Sequence, residues 1–203
     1  MSQMSWDREV DVLVVGTGNG GLTAAVCNWE MGTKDVLIIE KQDKVGGTSA
    51  TSGGGIWIPN THYAKEVGAE DSPEDAKAYL MNTLFGEDVP EEMIDIYLEK
   101  APEMLKYLHD RTDVRYESLA EYPDYYTNME GAREGHRSLE PAPIMASELG
   151  ANWKNMTWTH FMMRMFNRIH FTQVEAHLLM VQLPGWKKLL ARLMWDYIRD
   201  IPW

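Results

Sequence analysis

Val12-Leu13-Val14-Val15 runs without a break into Gly16-Thr17-Gly18-Asn19-Gly20-Gly21. An apolar run of this kind, inside a β-rich stretch from Val10 to Val15, predicts a strand buried on both faces, as in a parallel sheet. The Gly16-x-Gly18-x-x-Gly21 spacing behind it predicts a tight turn into a helix. Gly16 permits the turn, Gly18 lets the backbone approach a pyrophosphate with no Cβ in the way, and Gly21 lets the helix lie close to the strand. The helix is expected over 20–31, with Leu22, Ala25, Val26 and Trp29 on one face and Gly32 as its terminator. A second apolar run, Val36-Leu37-Ile38-Ile39, ends at Glu40 and completes a β-α-β unit of about 30 residues.

This unit has a chemical meaning. The free N–H groups and the positive dipole end of the 20–31 helix face the phosphates of a dinucleotide. Glu40, 24 residues beyond Gly16, is placed to accept both hydroxyls of an adenosine ribose. Its charge disfavours a 2′-phosphate, which points away from NADP. The choice of FAD over NAD rests on residues 41–55, where Gly46-Gly47 and Gly53-Gly54-Gly55 give backbone that lies flat against a pyrophosphate and along an isoalloxazine edge. Read without that chemistry, the same glycines make a flexible surface loop, but Ile56-Trp57-Ile58 directly behind them argues for an ordered one.

Beyond Pro59 the chain reads as largely helical. Ser72-Pro73 is an N-cap followed by proline at the first helical position, with Ala76, Leu80 and Leu84 as a buried face. Pro90 opens a second helix with Ile94, Tyr97, Leu98, Leu105 and Leu108 inward, which Pro102 is expected to kink or split. Val114–Glu117 is a short candidate strand, and 118–145 reads as an irregular, tyrosine-containing excursion. Residues 155–200 are expected to be helical, with Leu189, Leu190, Leu193, Met194, Tyr197 and Ile198 as the clearest stripe.

Composition narrows the function. The 203 residues are 44% hydrophobic, enough for a core. The net charge of −12 argues against nucleic acid. It is uneven: residues 1–150 hold 12 Lys and Arg against 28 Asp and Glu, and residues 151–203 hold 7 against 3. The basic, Met- and Trp-rich last quarter is expected to be core or domain contact, with the wall of a substrate channel and peripheral membrane contact as alternatives. One cysteine, Cys27, excludes a disulfide framework and a Cys-based metal site, and the six histidines show no metal spacing, so no metal is expected. The polar start and the lack of a membrane-length apolar run fit a cytoplasmic protein.

The residues from Asp11 to Gly18, Glu40-Lys41, and Gly46-Gly47-Thr48-Ser49-Ala50-Thr51-Ser52-Gly53-Gly54-Gly55-Ile56-Trp57-Ile58-Pro59-Asn60 resemble the FAD-binding fold of fumarate reductase-like flavoproteins. Within that group they are most similar to the 3-ketosteroid dehydrogenases, and the likeness continues through Pro123-Asp124-Tyr125-Tyr126 and Gly135-His136-Arg137-Ser138-Leu139-Glu140-Pro141. The resemblance implies FAD as cofactor, a hydrophobic 3-oxosteroid as substrate, hydride transfer to flavin N5 and a tyrosine base, and it leaves the electron acceptor open. It extends the cofactor residues to Gly16, Gly18, Asn19, Gly20, Gly21, Glu40, Lys41, Gly46, Gly47, Thr48, Ser49, Ser52, Gly53, Gly54 and Gly55. It also makes Tyr125, rather than Tyr122 or Tyr126, the catalytic tyrosine that assists the base. Without the resemblance, the tyrosine-rich patch reads as ordinary half-buried packing.

The expected fold is therefore α/β: a Rossmann-like FAD-binding β-α-β core, an incomplete parallel sheet and a largely helical second half. Residues 1–60 are read as the core and flavin loop, 61–150 as a helical excursion with the tyrosine loop, and 151–203 as a further helical segment of the same domain. Chains of the family are much longer, so this one is expected to be an N-terminal portion lacking the later catalytic residues. The alternatives are a flavoprotein acting on a small dicarboxylate and an inactive fragment.

Overall fold

The structure, a computed structural model, describes residues 6–200. Its elements are β1 (Val12–Val15), α1 (Asn19–Glu30), β2 (Val36–Ile39), α2 (Gly47–Thr51), β3 (Ile56–Trp57), α3 (His62–Glu66), α4 (Pro73–Thr83), α5 (Glu91–Arg111), β4 (Tyr116–Ser118), β5 (Ser138–Pro141), β6 (Arg164–Met165), β7 (Ile169–His170), α6 (Gln173–Met180) and α7 (Trp186–Asp200). Two 3₁₀ stretches, Ala146–Asn155 and Phe161–Met163, precede β6. The chain divides into two compact units. One runs up to Ser52 and takes in Ile144–His170; the other comprises Gly53–Pro143 and the residues from Phe171 onward.

In the first unit β1 and β2 pair in parallel, Val12 opposite Val36 through Val15 opposite Ile39. The β-α-β unit is the one expected, but its burial is not. Only Val14 of β1 is buried, while Leu13 and Val15 are 53% and 75% exposed. A parallel strand is covered on both faces only where neighbouring strands and helices extend the sheet, and β1 pairs with β2 alone among the described residues. For the same reason α1 buries Ala25 and leaves Leu22, Val26 and Trp29 exposed.

Two further expectations are corrected in this unit. The 41–55 loop contains a helical turn, α2. The 155–200 stretch is not continuously helical, because β6 and β7 form an antiparallel hairpin. The turn between them carries two consecutive residues at positive φ, Phe166 and Asn167. Such a turn matches the twist of paired strands, but a phenylalanine does not announce it.

The second unit is built on the antiparallel sheet β3-β5-β4, with Ile56 opposite Leu139 and Ser118 also opposite Leu139. The strand β5 lies in what reads as an irregular excursion. Leu139 is fully buried and meets Ile58, Tyr63, Ala101 and Leu105 in the core, with Ile56 and Tyr116 packed against them. Helix α4 begins as predicted: Ser72 Oγ accepts the Asp75 N–H at 3.0 Å, and Pro73 takes the first helical position. Its buried side chains are Ala76 and Tyr79, with Leu80 and Leu84 half-buried. Helix α5 buries Ile94, Ala101, Leu105 and Leu108 and runs unsplit through Pro102. Buried residues on both sides of the proline outweigh its missing hydrogen bond. Tyr97 is exposed rather than inward, and in α7 Leu189 and Leu193 are buried whereas Met194 and Ile198 are exposed.

Leu105→Ala is expected to destabilise the chain by about 2–5 kcal/mol in denaturant melts, because its side chain sits at the centre of this core. His62 gives a pH signature. Both its ring nitrogens are buried without a hydrogen-bond partner among the described residues, and burial followed by the neighbouring His109 holds its pKa below the ordinary 6.5. The unfolded chain therefore binds a proton that the folded chain refuses. Stability is full above pH 6.5 and falls as pH drops below it. A His62→Phe variant should show a flatter stability profile across that range.

Candidate cofactor site

The glycine turn forms as its spacing requires. Gly16 has φ +96°, a conformation L side chains rarely adopt. A Cβ on Gly21 would strike the Gly16 carbonyl, so α1 starts hard against the turn. Gly18 is the N-cap and contributes no side-chain cap, and the first turn carries no acidic residue. The Asn19 N–H donates to Ser49 Oγ at 3.1 Å. A Cβ on Gly16 or Gly20 would meet nothing within 4 Å, so the backbone there is open to a ligand. This helix start carries no acidic side chain at its positive end, which suits an anion.

Glu40 stands at the end of β2 and is tied to the turn. Thr17 donates its N–H (2.9 Å) and its hydroxyl (2.5 Å) to Glu40 Oε2, and the Gln42 N–H donates to Oε1 at 3.1 Å. The Thr17 hydroxyl, then the Gln42 and Thr17 N–H groups, hold the Glu40 carboxyl down to about 2. The Thr17 hydroxyl also accepts the Gly46 N–H at 2.8 Å. Buried Thr17 thus joins the first glycine turn, the acid and the second glycine cluster. It stands at a variable position of the fingerprint and the motif passes over it. A hydroxyl next to the turn glycine, with an acid expected nearby, is the signal that was there to find.

The second cluster is held from its far side. Val45 N–H donates to Asn155 O, and Thr157 N–H donates to Val45 O, each at 2.8 Å. Gly46 has φ +120°, and its missing Cβ would lie 2.7 Å from Ala50 Cβ. Gly47 opens α2, where Ser52 Oγ donates to the Ser49 carbonyl and the Thr51 hydroxyl to the Thr48 carbonyl, both at 2.9 Å. Lys41 is exposed.

The third cluster belongs to the second unit. Gly53 lies under the side-chain amide of Gln173, Gly54 at φ +71° lies against the Pro141 ring, and Gly55 leads into β3. The same unit carries the tyrosines. Tyr125 is 86% exposed, and the preceding Asp124 is only 4% exposed. Burial pushes the Tyr122 phenol up, and the neighbouring Tyr125 adds to the effect. Tyr126 packs edge-on against Phe85, with ring centroids 4.9 Å apart. Among the described residues no group of three or more His, Cys, Asp or Glu is arranged to hold a metal ion.

The sequence profile of the FAD binding domain family matches residues 11–199. The chain belongs to that family. Its mixed α/β fold and its cofactor, FAD, follow from that membership. The FAD binding domain described here is 43% identical over 145 residues to a 3-oxosteroid 1-dehydrogenase of Mycobacterium tuberculosis (strain H37Rv), a match covering 71% of this chain and 25% of that protein. It is 33% identical over 198 residues to a 3-oxosteroid 1-dehydrogenase of Comamonas testosteroni, covering 97% of this chain and 34% of the relative. Its fold matches the crystal structure of 3-ketosteroid delta1-dehydrogenase from Sterolibacterium denitrificans in complex with 1,4-androstadiene-3,17-dione. That match has a TM-score of 0.86 and 36% identity, over 96% of this chain and 34% of the other. The chain thus spans about a quarter to a third of the length of these relatives.

Thr17→Val is expected to release Glu40, whose carboxyl should titrate closer to its ordinary 4.5 when followed by carboxyl NMR. Thr17→Ser keeps the hydroxyl and should leave Glu40 near 2. With wild-type Thr17 the depressed pKa stabilises the fold above about 4.5, and that contribution fades as pH falls toward 2.

Proposed function

We propose that this chain is the FAD-holding portion of a flavin-dependent dehydrogenase that introduces a double bond beside the carbonyl of a 3-oxosteroid. The observation that carries the reading is the fold match, over nearly the whole chain, to a ketosteroid dehydrogenase solved with a steroid dione. The relatives' names favour the ketone over a small dicarboxylate.

The residues fit the cofactor. Gly16, Gly18, Asn19, Gly20 and Gly21 take the pyrophosphate at the start of α1, whose first turn carries no acidic residue. Glu40, kept ionised, accepts from the ribose hydroxyls, with Lys41 beside it. Gly46, Gly47, Thr48, Ser49 and Ser52 line the cofactor between its two ends, and Gly53, Gly54 and Gly55 take the isoalloxazine edge. FAD, when bound, supplies an acceptor for the hydride. The chain's own share of the chemistry is a phenol. Removing a proton next to a ketone calls for a base, and a phenol with a pKa near 10 is a poor one unless a neighbour stabilises its anion. Tyr125 is the neighbour in this reading, and its exposed side chain is open to a substrate.

No helix among the described residues is long and apolar enough to cross a membrane.

The reading is tested by reconstituting the chain, in its complete polypeptide, with FAD and following 3-oxosteroid oxidation with an artificial electron acceptor. A flavin absorbance band and steroid turnover are expected. Glu40→Gln should weaken FAD binding about tenfold, the worth of one charge-assisted hydrogen bond. Tyr125→Phe should lower kcat about a hundredfold or more while FAD binding holds. Stoichiometric NAD in place of flavin, or turnover of a dicarboxylate but not of a 3-oxosteroid, overturns the reading.

A further inference from the structure

We propose that Asp124 is a positioning residue that ties the Tyr125 backbone to the Gly53–Gly55 loop through Trp57 and Arg137. This rests on the reading above, in which that loop and Tyr125 face the flavin and the substrate.

The tie is built from buried polar groups of the second unit. Asp124 Oδ1 accepts the Trp57 indole N–H at 2.6 Å. Asp124 Oδ2 accepts from Arg137 Nη1 and from the Arg133 N–H, both at 2.9 Å. The Asp124 N–H donates back to the Arg133 carbonyl at 3.0 Å. Arg137 is 2% exposed, and its remaining fork, Nε and Nη2, donates to the two oxygens of Asp71 at 2.9 and 2.7 Å. Its guanidinium lies over the rings of Trp57 and Tyr79, 5.8 and 5.7 Å from their centroids. Every polar edge of the cluster is matched, so the charges are retained in the interior instead of being expelled from it.

What distinguishes the cluster from ordinary internal support is which chain segments it joins. Trp57 lies two residues beyond Gly55, in β3, and is fixed on all sides. Its carbonyl accepts the Tyr97 hydroxyl, its ring stacks on Tyr97 with centroids 6.5 Å apart, and the next N–H, of Ile58, donates to the Arg137 carbonyl at 2.8 Å. The indole N–H is therefore a fixed point at the exit of the glycine loop. Asp124 takes it up and is followed directly by the exposed Tyr125. Downstream, the Tyr126 N–H donates to the Tyr79 hydroxyl at 3.2 Å. Tyr125 is left as an exposed side chain on a backbone pinned at both neighbours. Such an arrangement fixes where a phenol stands while its ring stays exposed, and a displacement of about 1 Å at a reacting group costs up to a hundredfold in rate.

The test is a double-mutant cycle on the FAD-loaded complete polypeptide, with Trp57→Phe, Tyr125→Phe and both together. Trp57→Phe keeps a smaller aromatic ring beside Tyr97, removes the indole donor and leaves Asp124 paired with Arg137, so it avoids the unpaired buried Arg137 Nη1 that Asp124→Ala would create. Trp57→Phe is expected to lower kcat about tenfold with KM and FAD affinity unchanged, and to speed amide hydrogen exchange at residues 124–126 several-fold. In the Tyr125→Phe background it should lower kcat no further. An equal loss of kcat with and without the Tyr125 phenol, or unchanged exchange at 124–126, overturns the proposal. If Tyr125→Phe alone turns over like the wild type, the reading of Tyr125 itself fails. The exchange result still reports whether the tie holds the backbone.

Discussion

The first unit depends on one hydroxyl. The Thr17 side chain donates to Glu40 and accepts from the Gly46 N–H, so three segments distant in sequence meet at a single buried oxygen. Backbone alone does not achieve this. The Gly16 N–H donates to the Ile39 carbonyl at 2.7 Å, so backbone joins the first turn to the end of β2, and the Thr17 hydroxyl adds the turn at Gly46. The hydroxyl does so because it both donates and accepts, and because Glu40 stays ionised and accepts from two Thr17 donors at once. Glu40 Oε2 is engaged twice by Thr17 and Oε1 accepts the Gln42 N–H, and a carboxylate with about four acceptor positions has capacity beyond these bonds.

The parts of this architecture that were legible in the sequence are those governed by neighbours along the chain. The β-α-β unit, the cap at Ser72 and the glycine spacing follow from steric rules acting over a few residues. Gly21 is the clearest case, since the helix start touches the Gly16 carbonyl at the place a side chain would need. Thr17, Tyr79 and Ala101 were not legible, because their importance comes from partners far away in the chain. The hairpin at 164–170 was hidden for another reason. Its turn uses Phe166 and Asn167 at positive φ, and only asparagine is a residue associated with that conformation.

The overestimated burial of β1 has a different cause. An all-apolar strand reads correctly as one that a complete parallel sheet covers on both faces, but the pattern describes the finished environment. The described residues supply one neighbouring strand and one helix, and Val15 is left exposed. The chain spans about a quarter to a third of the length of the relatives it matches.

The two units solve the same problem with opposite chemistry. In the first, a neutral hydroxyl links an anion to a backbone turn. In the second, a buried cation links two anions to an indole. Arginine suits the second task and lysine does not. Arg137 uses Nε and Nη2 on Asp71 and Nη1 on Asp124 at once, in one plane, while its flat face lies over two aromatic rings. An ammonium has no fixed fork to hold two carboxylates in a set relation and no plane to lay against Trp57 and Tyr79. The loop bearing Tyr125 takes its place from that planarity. The exposed tyrosine is therefore governed by a residue twelve positions later in the chain, one whose side chain is almost wholly out of contact with solvent.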